Sequence, residues 1–375
     1  MRYDVVIVGA GPAGSTLAAL LSQGGFSVLL IDKAKFPRRK LCGGILTTKT
    51  TQLIRRVLPN LRYDSHIITA VEVFHKQSKQ LHIRLIDALN IIDRYNFDYE
   101  LVKYAQQCGA VFMPSTNFIG IELASGIIRI SGGHSIHFGV LVGADGVHSA
   151  VRKNMNLQRN KMGFCVGTHI ITGANSDAGH EFQKRTAQLY YGEFDQGYLW
   201  KFPILNKCVV GAGSIVDNVD EKMVLCTFNE FLLNKHIMGQ EKTHCAYLPS
   251  GENTEFGAAN SNTYLVGDAA GLIDPITGEG LYFAIYSSYV LANILLSNSP
   301  RFAYEAYCQK MRPVLERIKI DCYLRDKVFE PLMLSQTLQA LGQAPEYASQ
   351  LIHDTVCSYQ KSYHYAFTEI NELLR

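Results

Sequence analysis

Tyr3-Asp4-Val5-Val6-Ile7-Val8-Gly9-Ala10-Gly11-Pro12-Ala13-Gly14 is the stretch that decides the fold. Its first six residues form a short, apolar, β-branched run, which reads as a buried strand. That run enters a glycine turn directly. A helical pattern follows, with Leu17, Leu20 and Leu21 on one side. A second apolar strand, Ser27 to Ile31, ends at Asp32, eighteen residues after Gly14. Strand, tight turn, helix, strand and acid in this order make a dinucleotide-binding fingerprint. Gly9 permits the sharp turn, Gly11 lets a pyrophosphate approach the backbone, and Gly14 lets the helix pack on the strand. The helix N-terminus offers free N–H groups and the positive end of its dipole to the phosphates. At the end of the second strand, the Asp32 carboxylate can accept hydrogen bonds from ribose hydroxyls. A glycine turn packed inside an ordinary α/β domain is the competing reading, and it leaves Asp32 unexplained.

Working outward, 375 residues suffice for two domains, or for one large core with an appendage. The composition, 47% hydrophobic and 18% charged, is that of a globular protein on the apolar side. A net charge of +3 is too mild to argue for a nucleic-acid partner. The densest basic cluster, Lys33, Lys35, Arg38, Arg39 and Lys40, reads either as a solvated loop or as a phosphate clamp beside the dinucleotide. Nine cysteines are scattered without a C-x-x-C pair. Their odd number argues against a disulfide framework or a zinc site and fits a reducing, cytoplasmic compartment. The N-terminal apolar run is not read as a signal peptide, because cleavage there would destroy the fingerprint. Leu281 to Ser299 lacks charge and is long enough to cross a bilayer. Its Tyr282, Tyr286, Ser287, Ser288 and Asn293 suit a helix buried in protein better.

Along the chain, a helix is expected from about Thr47 to Leu58, ended by Pro59-Asn60. Val71 to Phe74 and Leu81 to Ile86 read as paired strands, Asp93 to Cys108 as a helix, and Val111-Phe112 as the start of another strand. Ile127 to Ile130 and Ile136 to Val142 read as a hairpin joined through Gly132-Gly133. Between Phe164 and Pro249 the pattern changes. Five β-type runs, at 165–171, 188–191, 198–202, 208–214 and 245–248, are interrupted by one helix, about Glu221 to Asn234. An antiparallel sheet inserted into an α/β domain is the expectation. Thr263 to Val266 returns as a strand, and from Pro300 onward the pattern is helical, with Pro313, Pro331 and Pro345 marking kinks or breaks.

Three glycine turns therefore follow strands: the first at Gly9, the second at Gly143-Ala144-Asp145-Gly146, the third at Gly267-Asp268. Ligands of open α/β sheets bind at the carboxyl ends of strands, where all three lie. A nicotinamide dehydrogenase needs only the first. The set resembles the hydroxylase-type FAD-dependent oxidoreductases over nearly all of residues 1 to 300. Three further segments resemble the geranylgeranyl reductase family: Pro37-Arg38-Arg39-Lys40-Leu41-Cys42-Gly43-Gly44, Gly197-Tyr198-Leu199-Trp200-Lys201-Phe202-Pro203, and Asp274-Pro275-Ile276-Thr277-Gly278-Glu279-Gly280. Arg94-Tyr95-Asn96-Phe97-Asp98 matches a fourth motif of that family. The last 75 residues carry none.

This resemblance implies α/β plus α+β architecture. A Rossmann-like FAD-binding domain is built from residues 1–63, 92–160 and 254–300. An inserted antiparallel β-sheet substrate domain comes from 64–91 and 161–253, and a C-terminal helical segment from 301–375. It also implies site residues. Gly9, Gly11, Gly14 and Asp32 hold the adenosine half, and Arg94 with the turn bearing Asp145 and Gly146 supports the pyrophosphate. Asp268, after Gly267, meets ribityl or phosphate oxygens. Pro275 to Gly280, including Gly278, brings backbone near the isoalloxazine, with Leu281 opening a helix whose N-terminus faces the ring. A reduced anionic flavin is stabilised by such a dipole end, so the carboxylate of Glu279 sits oddly there, as a cap or as a protonated acid. Arg38 and Lys40 are assigned to a nucleotide phosphate, and Ala13, Lys33, Cys42 and Gly43 complete the cofactor set.

Alternation along a strand puts Tyr198, Trp200 and Phe202 on one face and Leu199 and Lys201 on the other. The aromatic face reads as a wall for an apolar substrate over the flavin, against plain sheet-to-core packing. Cys42 is either a small residue in a glycine-rich turn or the proton donor that double-bond reduction needs, with Tyr198 or water behind it. His169 reads as a core histidine, and Ser149 and Arg152 as fixing the second turn. The leading expectation is an FAD-dependent reductase of prenyl or related lipid double bonds. The alternatives are a monooxygenase on an apolar substrate and a catalytically silent flavoprotein. NADPH and a reduced ferredoxin or flavodoxin fit equally as donor, since no second dinucleotide fingerprint occurs. A lipid substrate implies peripheral contact with the inner membrane face, or else the C-terminal helices simply cover the site.

Overall fold

Residues 1–171, 185–204, 207–237, 241–258, 262–297 and 300–374 are described by the computed structural model. The N-terminal apolar run forms strand Arg2–Val8, in which Val5, Val6 and Ile7 are fully buried. It lies between two parallel neighbours, Val28–Ile31 and Ser135–Gly143. A parallel strand covered on both faces reads as a continuous apolar run rather than as an alternation. In spatial order the first sheet is Gly257–Ala258, Thr263–Leu265, Ser135–Gly143, Arg2–Val8, Val28–Ile31 and Val111–Met113. Strands Phe118–Glu122 and Ile127–Ile130 extend it beside Ser135–Gly143. The strands that precede the three glycine turns are therefore adjacent, and their turns share one edge. Helix Pro12–Gln23 packs between helices Arg94–Gln107 and Leu281–Ser297.

The second sheet runs His244–Pro249, Met162–Ile171, Lys207–Ser214, Gly197–Ile204, Thr186–Tyr191, His66–His75, Ser78–Ile91 and Ile45–Leu46. It is antiparallel except at one seam, where Thr186–Tyr191 meets His66–His75 in parallel. Strands linked by a tight hairpin must be antiparallel, whereas this seam joins two separate excursions of the chain and is free to be parallel. His66–His75 and Ser78–Ile91 are longer than expected, and Lys76 and Gln77 turn between them with positive φ at both. Glycine and asparagine are the usual signals of such a turn, and neither occurs here. One face of this sheet packs Leu199, Val210 and Ala212 against Val224 and Phe228 of helix Glu221–Asn234. Trp200, Phe202 and Val209 stand on the other face, with Cys357 of the C-terminal segment.

Helix Leu281–Ser297 is buried along most of its length; residues 298–299 of the expected apolar stretch lie outside the described residues. No described helix is long and apolar enough to cross a membrane. Pro313 lies inside the long helix Pro300–Val328, while Pro331 and Pro345 open helices Pro331–Gln343 and Pro345–Ile352. A first-turn proline forfeits no helical hydrogen bond. Segment His353–Cys357 is a turn of π-helix, and helix Tyr363–Leu373 ends the chain.

Candidate functional site

Gly9 has a φ of +103°, and a Cβ there would sit 2.3 Å from the carbonyl oxygen of Ala144. The first and second turns thus touch, and only glycine fits at their contact. Gly14 meets the Gly9 carbonyl, where a Cβ would lie 1.8 Å away, so it seats the helix. Gly11 differs. A Cβ there would find only the Arg38 guanidinium, at 3.6 Å, so this backbone is open to an incoming group. The Asp32 carboxylate accepts from the amides of Ala10 at 2.7 Å and Ala34 at 2.8 Å. Each oxygen keeps a further lone pair for a ligand hydroxyl.

In the second turn, Asp145 accepts from the Ala150 amide at 2.7 Å, and its other oxygen is buried with no hydrogen-bond partner among the described residues. Burial holds this carboxyl above the usual range. Arg152, almost fully buried, ties the second turn to the third. It donates to the carbonyls of Gln158, Ala269 and Asn253. The third turn presents the Asp268 carboxylate, which no donor from another residue satisfies among the described residues. Burial raises its pKa, and the cations of Lys40 and Arg94 act in the opposite sense.

A cavity of about 650 Å³ connects all three turns with the second sheet. At its far end stand Cys42, Tyr198, Trp200, Phe202 and Cys165. A Cβ on Gly43 would strike Phe202 at 2.8 Å, which shows how tightly the Cys42-Gly43 turn lies on the aromatic face. Arg94 forms a two-pronged pair with Asp98, at 2.6 and 2.8 Å, and its cation lies near the Cys42 sulfur. Burial alone would lower the Arg94 pKa, but the Asp98 carboxylate more than offsets it and the net shift is upward. The Tyr198 hydroxyl donates to the Thr277 carbonyl at 2.5 Å, and burial pushes this phenol far up. Its proton is therefore committed to the turn. The Trp200 indole N–H is buried with no hydrogen-bond partner among the described residues.

Residues 2–171 match the family described as FAD binding domain. An uncharacterized protein of Methanosarcina barkeri is 28% identical over 346 residues, covering 90% of this chain and 86% of that protein. The digeranylgeranylglycerophospholipid reductase of Methanocella arvoryzae is 28% identical over 316 residues, covering 78% and 77%. Among solved structures, a geranylgeranyl bacteriochlorophyll reductase-like protein of Thermoplasma acidophilum superposes with a TM-score of 0.74 at 18% identity, covering 99% of both chains. Residues 2–171 thus form an FAD binding domain, and the chain is similar to proteins named geranylgeranyl reductases over most of its length.

The residues present fit FAD. Gly11 leaves backbone bare beside Arg38, Asp268 offers an unsatisfied acceptor, and Gly280 approaches it so closely that a Cβ would lie 3.3 Å from its carboxylate. When bound, FAD supplies hydride chemistry. Of the expected site residues, Gly9, Gly11, Ala13, Asp32, Lys33, Arg38, Lys40, Cys42, Gly43, Arg94, Asp145, Gly146, Asp268, Gly278, Gly280 and Leu281 line the cavity, with Tyr198 and Trp200. Three stand outside it. Gly14 lies under Gly9, Gly267 lies against Ala13 and Ala284, and Pro275 is turned towards Gly251 and the long C-terminal helix. These three shape the turns without facing the space between them.

Glu279 meets a residue that the motifs do not mark. Its carboxylate pairs with Lys49 at 2.6 Å and accepts from Thr47 at 2.7 Å and Thr50 at 2.8 Å. Lys49 is only 7% exposed, so the negative charge in the 274–280 turn is neutralised on the spot. Thr116, Asn117 and Phe118, at the Asp32 end, and His148 and Tyr247, at the rim, also line the cavity and carry no motif. Burial lowers the His148 pKa, and Arg159, Lys33 and Lys40 add to that.

Proposed function

We propose that this protein is an FAD-dependent reductase that saturates carbon–carbon double bonds in a prenyl chain or a related hydrophobic lipid. The supporting observation is that a thiol and three aromatic side chains share one cavity with the FAD-binding turns. Tyr198, Trp200 and Phe202 offer the apolar surface on which an alkene is held and from which water is excluded. Saturation needs a hydride at one carbon and a proton at the other. Cys42 holds that proton, because Tyr198 already donates its own to Thr277. The Arg94 cation, near the Cys42 sulfur, steadies the thiolate left behind. The similarity to the Methanocella digeranylgeranylglycerophospholipid reductase supports the substrate class.

Lys33, Arg38 and Lys40 form a cationic rim where NADPH phosphates, or the acidic face of a ferredoxin or flavodoxin, can dock. Exposed Ile320, Tyr323 and Leu332, beside Lys319 and Lys327, suit a peripheral seat on an anionic membrane face. Flotation with anionic vesicles checks that seat, and protein left at the bottom of the gradient removes it. For the reaction itself, FAD-loaded protein is reduced without oxygen and mixed with a geranylgeranyl lipid. Mass spectrometry should show two hydrogens gained per double bond. An unchanged lipid under these conditions, with oxygen incorporated in air, would replace the reductase by a monooxygenase.

A further inference from the structure

The motif-free C-terminal segment reaches the flavin turn. Asp274, which opens that turn, is fully buried. Its Oδ1 accepts the amides of Ile276 and Thr277, both at 2.9 Å, and so sets the turn's own shape. Its Oδ2 accepts the hydroxyls of Tyr359 at 3.1 Å and Tyr363 at 2.8 Å. Both tyrosines are held well above the usual phenol range, by burial first and then by the Asp274 charge, so both remain donors. The Tyr359 ring lies between two cations. The Arg317 guanidinium is 3.5 Å from its centroid and the Lys49 ammonium 3.6 Å.

Lys49 ties the same segment to the other end of the turn. Its ammonium pairs with Glu279 at 2.6 Å and donates to the Val356 carbonyl at 2.7 Å. Asp274 and Glu279 are themselves joined, amide to carbonyl, at 3.0 Å. Residues 356–363 therefore act as a strap across both ends of the 274–279 turn. The second sheet holds the middle through Tyr198 and the Thr277 carbonyl. The turn's cavity-facing members, Gly278 and Gly280, have no side chain by which to be held directly.

We infer that Tyr359 and Tyr363 are positioning residues for the flavin: through Asp274 they hold the turn in the shape that receives the isoalloxazine. This rests on the FAD reading of the cavity and gives the C-terminal segment a task in it. Reciprocity follows. If the strap shapes the flavin site, FAD must in turn stabilise the strap.

The test is the double variant Tyr359→Phe/Tyr363→Phe, with Tyr323→Phe as control, since Tyr323 is 64% exposed and its ring neighbour is Lys327, away from Asp274 and the strap. Each change deletes one hydroxyl and keeps the ring. A hydrogen bond to a charged group is worth enough that losing two should raise the FAD dissociation constant by about tenfold or more. Flavin absorption bands should shift, the circular dichroism of the folded chain should stay, and FAD should no longer slow proteolysis of residues 353–362. The control should match the parent. Unchanged affinity, spectrum and protection in the double variant would overturn the strap alone. A parent protein that takes up no FAD would overturn the FAD reading and the strap together. A variant too unstable to purify is replaced by each single variant, for which affinity and spectrum equal to the parent's count against the proposal.

Discussion

Replacing Lys49 with methionine should destabilise the protein by a few kcal/mol, and the loss should depend on pH in a defined direction. Methionine keeps the apolar stem and deletes the ammonium. Four contacts disappear: the 2.6 Å pair with Glu279, the 2.7 Å bond to the Val356 carbonyl and the stacks on Tyr359 and Tyr282. Both partners of the ion pair are shielded, with side-chain exposures of 6% and 9%. Breaking such a pair from one side typically costs about 3–5 kcal/mol. That range has a ceiling here. An orphaned carboxyl escapes by taking up a proton, which near pH 7 costs about 3.7 kcal/mol relative to an ordinary carboxyl titrating near 4.3. Near pH 5 the same escape costs only about 1 kcal/mol. In the variant the folded state binds the extra proton, so variant stability falls as pH rises and the gap to the parent widens. Urea unfolding followed by circular dichroism at both pH values measures it. A loss under about 1 kcal/mol near pH 7, or a gap that does not shrink near pH 5, would refute the assignment of Lys49 as the counter-charge of the flavin turn.

Cys42→Ala should lower the rate of double-bond reduction by roughly 10²–10⁴-fold, the usual range for a lost general acid, with FAD affinity nearly unchanged. A single-turnover assay separates the two, and parental turnover would return the proton-donor role to water. Asp321, whose carboxyl is raised to about 7 by burial first and then by the Asp274 charge, should make the parent less stable as pH rises from about 4 to about 7. The sign follows because the folded state holds a proton that the unfolded chain has already released. Asp321→Asn should remove that slope, so its melting temperature relative to the parent should climb across the window and level off above it. Asp32→Ala, which strands the amides of Ala10 and Ala34, should weaken FAD binding by about tenfold or more, read by flavin fluorescence.

What the sequence shows and what it hides divide along a physical line. The Gly9–Gly14 turn and Asp32 were legible because a strand, a turn and a helix dictate their spacing locally. The Asp145 and Asp268 turns follow the same rule. So does the aromatic face, since alternation alone puts Tyr198, Trp200 and Phe202 together. Lys49 was hidden. It sits in a helix whose pattern, Thr-Lys-Thr-Thr-Gln-Leu-Ile-Arg-Arg-Val, marks it as an ordinary surface lysine, and its partner lies far away in the chain. The bond from Tyr198 to the Thr277 carbonyl was equally invisible, because a backbone acceptor carries no residue signature. Asp274 read as part of a motif, yet Tyr359 and Tyr363 belong to a stretch with no motif at all. The parallel seam between His66–His75 and Thr186–Tyr191 escaped for a related reason: period-two alternation reports a strand's faces and is silent on its neighbour's direction.

On the reading proposed above, three glycine turns on adjacent strands close around one FAD. Titrating the protein with FAD and reading flavin fluorescence and visible absorbance tests it most directly. The account predicts saturable uptake of one FAD per chain, a yellow protein after desalting, and loss of that uptake in Gly9→Val, where the turn leaves no room for a side chain. A parent protein that stays colourless after reconstitution, or a Gly9→Val variant that binds FAD as the parent does, would contradict it.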